Sequence, residues 1–434
     1  MKQQIRLSDH FTYRKLLQFV FPSIVMMIFT SIYGVVDGLF VSNFAGKTAF
    51  AAINLVMPFI MVLGGAGFMI GTGGTALVAQ QLGQGNKQKA NHTFTTMVSF
   101  TIFLGAILTV IGIAVIRPVC VLLGATPEMI EGCVVYGRVT IAFTAAFMLQ
   151  NVFQSFFVTA EKPKLGLAVI ITAGVTNMIL DLLFVGILGF GLAGAAVATV
   201  CGEMIGGLFP IFYFSRKNSS LLRLGKTQFN GRILMQTCVN GSSELMTNLS
   251  SSIVNSLYNI QLMKFAGENG VAAYAAIMYV NFIFIAIFLG YSIGSAPIIS
   301  YHYGAGNDGE LKNLYKKSLQ LVGSWGILLF VLAQFLATPL AKLFVGYDST
   351  LLAMTQTGFR IYSLVYIING FNIFGSSFFT ALSNGVVSAV ISFLRTLVFQ
   401  IGAVFILPIV FGGINGIWSS VTVAELLTLL SLIH

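Results

Sequence analysis

Apolar residues run almost unbroken for about twenty positions or more at a time, separated by short polar stretches, and twelve such runs divide the 434 residues. They lie near 15–44, 49–77, 92–117, 133–159, 165–188, 192–214, 232–264, 270–300, 314–338, 353–381, 386–411 and 413–433. A helix rises about 1.5 Å per residue and the hydrocarbon core of a bilayer is about 30 Å thick, so each run is long enough to cross it. Apolar residues cover all faces of these runs instead of every second position. That pattern predicts helices and excludes a transmembrane barrel. The predicted fold class is an all-α polytopic membrane protein of twelve transmembrane helices.

The pattern also repeats. Phe44-Ala45-Gly46 recurs 221 residues later as Phe265-Ala266-Gly267, and Gly83-x-Gly85-Asn86 recurs at the same distance as Gly304-x-Gly306-Asn307. NVFQSFFVTA from Asn151 matches NIFGSSFFTA from Asn372 at six of ten positions, again 221 residues apart. Arg138 pairs with Arg360, and Glu203 with Glu425, at 222. Six spans per half give both halves the same orientation, related by an axis along the membrane normal. The expected organisation is a six-helix bundle over 1–214, a cytoplasmic linker over 215–231, and a second six-helix bundle over 232–434.

Composition strengthens the membrane reading. The chain is 56% hydrophobic and 8% charged, against about 25% charged residues in soluble domains. The net charge of +10 could suggest nucleic acid, yet the basic residues sit in short loops and form no basic domain; no nucleic-acid partner is expected. Sixteen Lys and Arg fall at the N-terminus and the even-numbered connections, including Lys2, and six at or near the opposite side. By the positive-inside rule the N-terminus is cytoplasmic, and the expected location is a bacterial plasma (inner) membrane. Cys120, Cys133, Cys201 and Cys238 show no metal or redox spacing and read as packing residues. The glycine-rich stretch Gly64–Gly74 lies inside an apolar run and lacks a following Lys-Ser/Thr, so it reads as close helix packing and not as a phosphate loop. The four histidines are scattered near termini and loops. No nucleophile–base or metal constellation indicates an enzyme, and no cofactor is expected.

Ionisable groups within a span are costly and mark functional candidates. Asp37, Asp181, Glu203, Glu244, Glu425 and Arg395 are such groups. Asp37 and Asp181 each precede the outer end of their span by about seven residues, and Thr199 lies about seven residues into its span from the same side. Asn177 shares a helix face with Asp181, four positions on. Two carboxylates, an amide oxygen and a hydroxyl at one depth suit a proton or a small hard cation such as Na⁺. In the repeat Asp37 corresponds to Tyr258, Asp181 to Gly402 and Glu244 to Ser23; these unmatched acids are the expected coupling or substrate-facing groups. Asn151, Glu203, Arg395 and Glu425 are expected to serve gating or structural roles, with Arg395 in need of an acidic or carbonyl partner.

VVDGLFV around Asp37, GTGGTALVAQQLGQGN closing the second span, FFVTAEKPK after the fourth, NMILDLLF around Asp181 and GLAGAAVAT in the sixth together resemble the multidrug and toxic compound extrusion (MATE) family, of bacterial type. The resemblance covers essentially the whole chain. It implies two six-helix bundles around a V-shaped central cavity and antiport by alternating access: export of amphipathic, often cationic compounds in exchange for H⁺ or Na⁺. Family members with a cation site in the first lobe use residues matching Asp37, Asn177, Asp181 and Thr199. In another branch the coupling acids lie in the second half; Glu244 resembles one of them, but Asn369 stands where that branch has an acid. The implied partners are small-molecule substrates and membrane lipids, with the chain a monomer. A lipid-linked substrate flippase of related architecture, and less so an integral-membrane enzyme, are the alternative readings.

Overall fold

A computed structural model describes residues 5–227, 229–346 and 348–433; Lys2, counted above among the basic residues, lies outside the described residues. All regular structure among them is helical: α1 (Tyr13–Phe40), α2 (Lys47–Gly83), α3 (Lys87–Leu122), α4 (Ile130–Ala142), α5 (Thr144–Thr159), α6 (Pro163–Asp181), α7 (Gly191–Ser215), α8 (Gly231–Gly304), α9 (Asp308–Val345), α10 (Ser349–Tyr362), α11 (Tyr366–Ala381), α12 (Gly385–Phe393), α13 (Gln400–Val410) and α14 (Ile414–Ile433). Among the described residues ten helical stretches are each long and apolar enough to cross a membrane. The 74 residues of α8 are two spans, broken at Gly267 with φ 62° and ψ −153°. The pair α4 and α5 is one span bent by 56°. These two adjustments bring the total to twelve, in the order predicted from the apolar runs.

The repeat is reproduced in backbone conformation. Gly46 and Gly267 both have positive φ, as do Gly85 and Gly306, and Glu161 and Ser383. Asn86 and Asn307 each cap the following helix, accepting from Lys89 N–H at 3.0 Å and Glu310 N–H at 3.1 Å. Equivalent glycines also make reciprocal contacts between the halves. A Cβ on Gly83 would lie 2.0 Å from the Tyr301 carbonyl oxygen, and one on Gly304 would lie 2.2 Å from that of Gln80. Tyr301 is the repeat equivalent of Gln80, so the pairs exchange roles as a two-fold axis requires.

The glycine-rich run of α2 does provide close packing. A Cβ on Gly67 would be 2.7 Å from Met148 Cα, and one on Gly73 would be 2.1 Å from the Thr237 carbonyl oxygen. Among the described residues, hydrogen bonds between the halves run from Ser31–Phe282, near mid-depth, to the face that carries the N-terminus. None is found toward the opposite face, where Asn54, Ser251, Asn255 and Ser256 are exposed although they lie well inside apolar helices. Polar side chains at such depth mark a water-filled space and not a lipid-facing wall. The two bundles thus meet on the N-terminal side and splay apart beyond it.

Two further segments secure that closed side. Leu7 and Phe11 are fully buried. Leu7 N–H donates to Glu161 of the first half at 2.7 Å, whereas Phe11 N–H donates to Glu310 of the second at 2.9 Å. His10 Nδ1 contacts the same Glu310 carboxylate at 2.6 Å, and Lys317 donates to the Phe11 carbonyl at 2.7 Å. The chain between α7 and α8 lies against α3, where Arg223 N–H donates to Asn91 at 2.9 Å and Gly225 N–H to Thr95 at 3.2 Å.

Candidate functional site

Small residues bring the first-half helices close enough for their polar groups to meet. A Cβ on Gly174 would lie 2.6 Å from the Phe29 ring and 2.9 Å from Tyr33, and one on Gly202 would lie 2.9 Å from the Ala173 carbonyl oxygen. Without these glycines α1, α6 and α7 could not approach as they do. Their approach sets Asp37 on α1 opposite Asp181 on α6. The two carboxyls face each other near hydrogen-bonding range, but neither Asp181 oxygen has a hydrogen-bond partner. Asp181 is fully buried, and Asn177, one turn earlier, points its amide toward it.

Both acids adjoin irregular helix. The five residues Val41–Ala45 that continue α1 and the six residues Leu182–Ile187 that continue α6 are π-helical, a widening that recurs at functional sites. Buried oxygens without a partner accumulate here: Asp37 Oδ1, Asn177 Oδ1, Asp181 Oδ1 and Oδ2, and Glu203 Oε2 on α7. Leaving such groups unsatisfied in a low-dielectric interior costs about 1–3 kcal/mol each, more when charged. The set contains only acceptors and no Lys or Arg, so it offers a place to a proton or a monovalent cation. Among the described residues no three His, Cys, Asp or Glu side chains group as metal ligands.

Thr199 is placed less directly than the depth arithmetic implies. Its hydroxyl donates to the Ala195 carbonyl at 3.0 Å and lies beside the Tyr136 phenol, without hydrogen-bonding Asp181. Tyr136, on α4 and fully buried, is within electrostatic range of Asp37, Asp181 and Glu203. Tyr33 on α1 stands similarly near Glu203, Asp37 and Gln150. Neither tyrosine stands out in the sequence. Depth along the runs gave no signal for Tyr136, which lies about three residues into 133–159, against about seven for Thr199 into 192–214.

The second half is built otherwise. At the place of Asp37 stands Tyr258, buried and stacked on Tyr274 with ring centroids 5.4 Å apart. The place of Asp181 is Gly402, where an added Cβ would meet nothing within 4 Å. Arg395, carried on the π-helical turn Leu394–Phe399 between α12 and α13, finds the acidic partner it required. Its Nε donates to Glu425 Oε1 at 2.8 Å and Oε2 at 3.0 Å, and a terminal nitrogen donates to Asn369 Oδ1 at 2.6 Å. Asn372 donates to Glu425 Oε2 at 2.6 Å and to the Glu425 carbonyl at 2.8 Å. Glu244, on the first span of α8, is half-buried and feels the Arg395 charge; it belongs to this second cluster and not to the Asp37–Asp181 pair. Asn151, the counterpart of Asn372, is buried with its Nδ2 unpartnered.

Comparison with known proteins agrees with this two-half plan. The family model MatE matches the chain twice, over residues 22–183 and 245–406. The multidrug export protein MepA of Staphylococcus saprophyticus is 21% identical over 411 residues, covering 94% of this chain and 90% of that protein. MepA of Staphylococcus haemolyticus is 22% identical over 408 residues, with 94% and 89% covered. Among solved structures, a MATE transporter bound to MaL6 superposes with a TM-score of 0.93 at 21% identity, covering 99% of this chain and 97% of the other. An outward-facing multidrug resistance MATE transporter of the MOP superfamily gives 0.92 at 21% identity, covering 99% and 96%. With the family model spanning most of both halves and the architecture shared across the full length, the chain belongs to the MATE family, and is a membrane transporter and not an enzyme.

Proposed function

We propose that the protein exports amphipathic, often cationic small molecules in exchange for protons, by alternating access. The observation that carries this reading is the Asp37–Asp181 pair: two facing carboxyls whose buried oxygens lack partners, with no Lys or Arg ion-paired to either among the described residues. A carboxylate pair at this separation holds one proton readily, because two like charges repel in a low dielectric. Na⁺ would draw on the same Asp37, Asn177 and Asp181 oxygens, and the gradient test below separates the two ions. Substrate would enter from the cytoplasm or inner leaflet while the acids load from outside, and the two halves, 1–214 and 232–434, would rock about the linker at 215–231. Loading the pair with a cation can shift the equilibrium between states only by its difference in affinity for them. On this reading the chain is a monomer in a bacterial inner membrane, and the basic residues at the N-terminus and the even-numbered connections support a cytoplasmic N-terminus.

Reconstituted vesicles with an H⁺ or a Na⁺ gradient imposed separately provide the test. Wild type should accumulate a lipophilic cation against its gradient when ΔpH is applied, and Asp37→Asn and Asp181→Asn should not. Unchanged concentrative uptake in both variants would remove the site from the coupling mechanism.

A further inference from the structure

Repeat-related positions in the two lobes carry the same two polar residues, Asn151 with Glu203 and Asn372 with Glu425, but they are satisfied differently. Both oxygens of Glu425 are engaged, and the residue is 1% exposed. Glu203 Oε2 and Asn151 Nδ2 have no partner. The charge that makes the difference is Arg395: at the spacing of 222 that relates Glu203 to Glu425 the first lobe has Ala173, and at the spacing of 221 used for Asp181 and Gly402 it has Gly174, neither of them basic. We propose that Arg395 is a built-in counter-cation for Glu425: the second lobe holds, as part of its own chain, the positive charge that the first lobe takes up from solution.

The argument is electrostatic. A buried carboxylate without a counter-charge is strongly destabilising, so it must be neutralised by a proton, a bound cation or a basic side chain. A guanidinium remains protonated under any physiological condition and cannot dissociate from the chain, and here its Nε–H is shared between both carboxylate oxygens. Asn369 accepts from a terminal nitrogen of the same guanidinium at 2.6 Å, so the arginine is positioned from two helices. The second lobe has also lost the acids that would require more cations, with Tyr258 and Gly402 in place of Asp37 and Asp181. The other groups facing Glu425 are Tyr258 from α8 and Tyr362 from α10; Glu244 reaches the cluster only through the Arg395 charge. None of these supplies a second cation. One consequence rests on the coupling reading above: exchangeable cation passes through the first lobe alone. The pairing itself does not rest on it.

Removing the guanidinium should convert Glu425 into an exchangeable site for a monovalent cation. The purified full chain in nanodiscs is compared as wild type, Arg395→Ala and Arg395→Ala/Glu425→Gln. The readouts are thermal stability in millimolar guanidinium against Na⁺ at equal ionic strength, and protons taken up on acidification. Arg395→Ala should lose stability, recover it with guanidinium more than with Na⁺, and take up about one proton per molecule more than wild type, the difference in charge state that one unpaired carboxylate contributes. The double variant should show neither response. If Arg395→Ala does not accumulate, the double variant decides: removal of both charges should restore folding. A double variant that also fails to fold, or an Arg395→Ala protein with wild-type proton uptake and no guanidinium response, overturns the proposal. No readout here uses transport, so this inference and the Asp37–Asp181 coupling can each fail while the other stands.

Discussion

Where α2 crosses the first span of α8, a single methyl group tests whether the closed side is a separable state. A Cβ on Gly241 would lie 1.9 Å from the Met69 carbonyl oxygen, 2.8 Å from Met69 C and 3.0 Å from Gly73 N. All three are backbone atoms, so no side chain can rotate away; Gly241→Ala requires the helices to part by about 1 Å or more, given the contact limit for real Cβ atoms. Overpacking of this kind costs about 1–3 kcal/mol. The penalty falls on the state in which the halves touch, and at about 1.4 kcal/mol per tenfold it shifts the closed-to-open ratio by about 5- to 150-fold. The Gly→Ala change by itself favours a helix by about 0.5–1 kcal/mol, so general helix weakening cannot mimic the effect. Spin labels at the exposed positions Lys89 and Lys316, with the four native cysteines replaced, report the distance between the halves on this side by double electron–electron resonance. The distribution should move to longer distances in Gly241→Ala and also in Gly304→Ala, whose added Cβ would lie 2.2 Å from the Gln80 carbonyl oxygen. Gly402→Ala, with open space around its Cβ, should leave it unchanged. Identical distributions in wild type and Gly241→Ala would refute the assignment of this crossing to the closed state.

Three further outcomes follow from named contacts. Asn372→Ala strips Glu425 of one donor while the Arg395 pair persists; thermal unfolding should report a loss of about 1–3 kcal/mol, and a loss below 0.5 kcal/mol would show that the amide is dispensable. Gly267→Ala forces an L-residue into φ 62° at the break in α8, at about 1–2 kcal/mol, and Gly46→Ala should behave alike at φ 92°; a melting temperature equal to wild type in both would show that the breaks relax. Glu310→Ala removes the acceptor shared by His10 and Phe11, so amide exchange across residues 5–11 should quicken at least tenfold, while unchanged protection would mean that burial of Leu7 and Phe11 suffices to hold the segment.

Hydropathy alone determined the spans, because crossing a bilayer is a constraint on consecutive residues: backbone groups must bond within their own segment and side chains must be apolar for about 20 positions. The repeat was equally legible, since duplication is recorded in order along the chain, and Gly46 with Gly267 shows why its glycines recur: both sit at positive φ where a span ends. Depth along a helix is also linear, which is how Asp37, Asn177 and Asp181 could be grouped in advance. What lies beside a group on another helix is not linear. That Arg395 pairs with Glu425, that Asn369 orients it, and that Tyr136 lies beside Thr199 within electrostatic range of the acids depend on which faces meet. Glu203 and Glu425 look equivalent in sequence, and only the packed structure leaves one with an open oxygen and gives the other Arg395 as its salt-bridge partner.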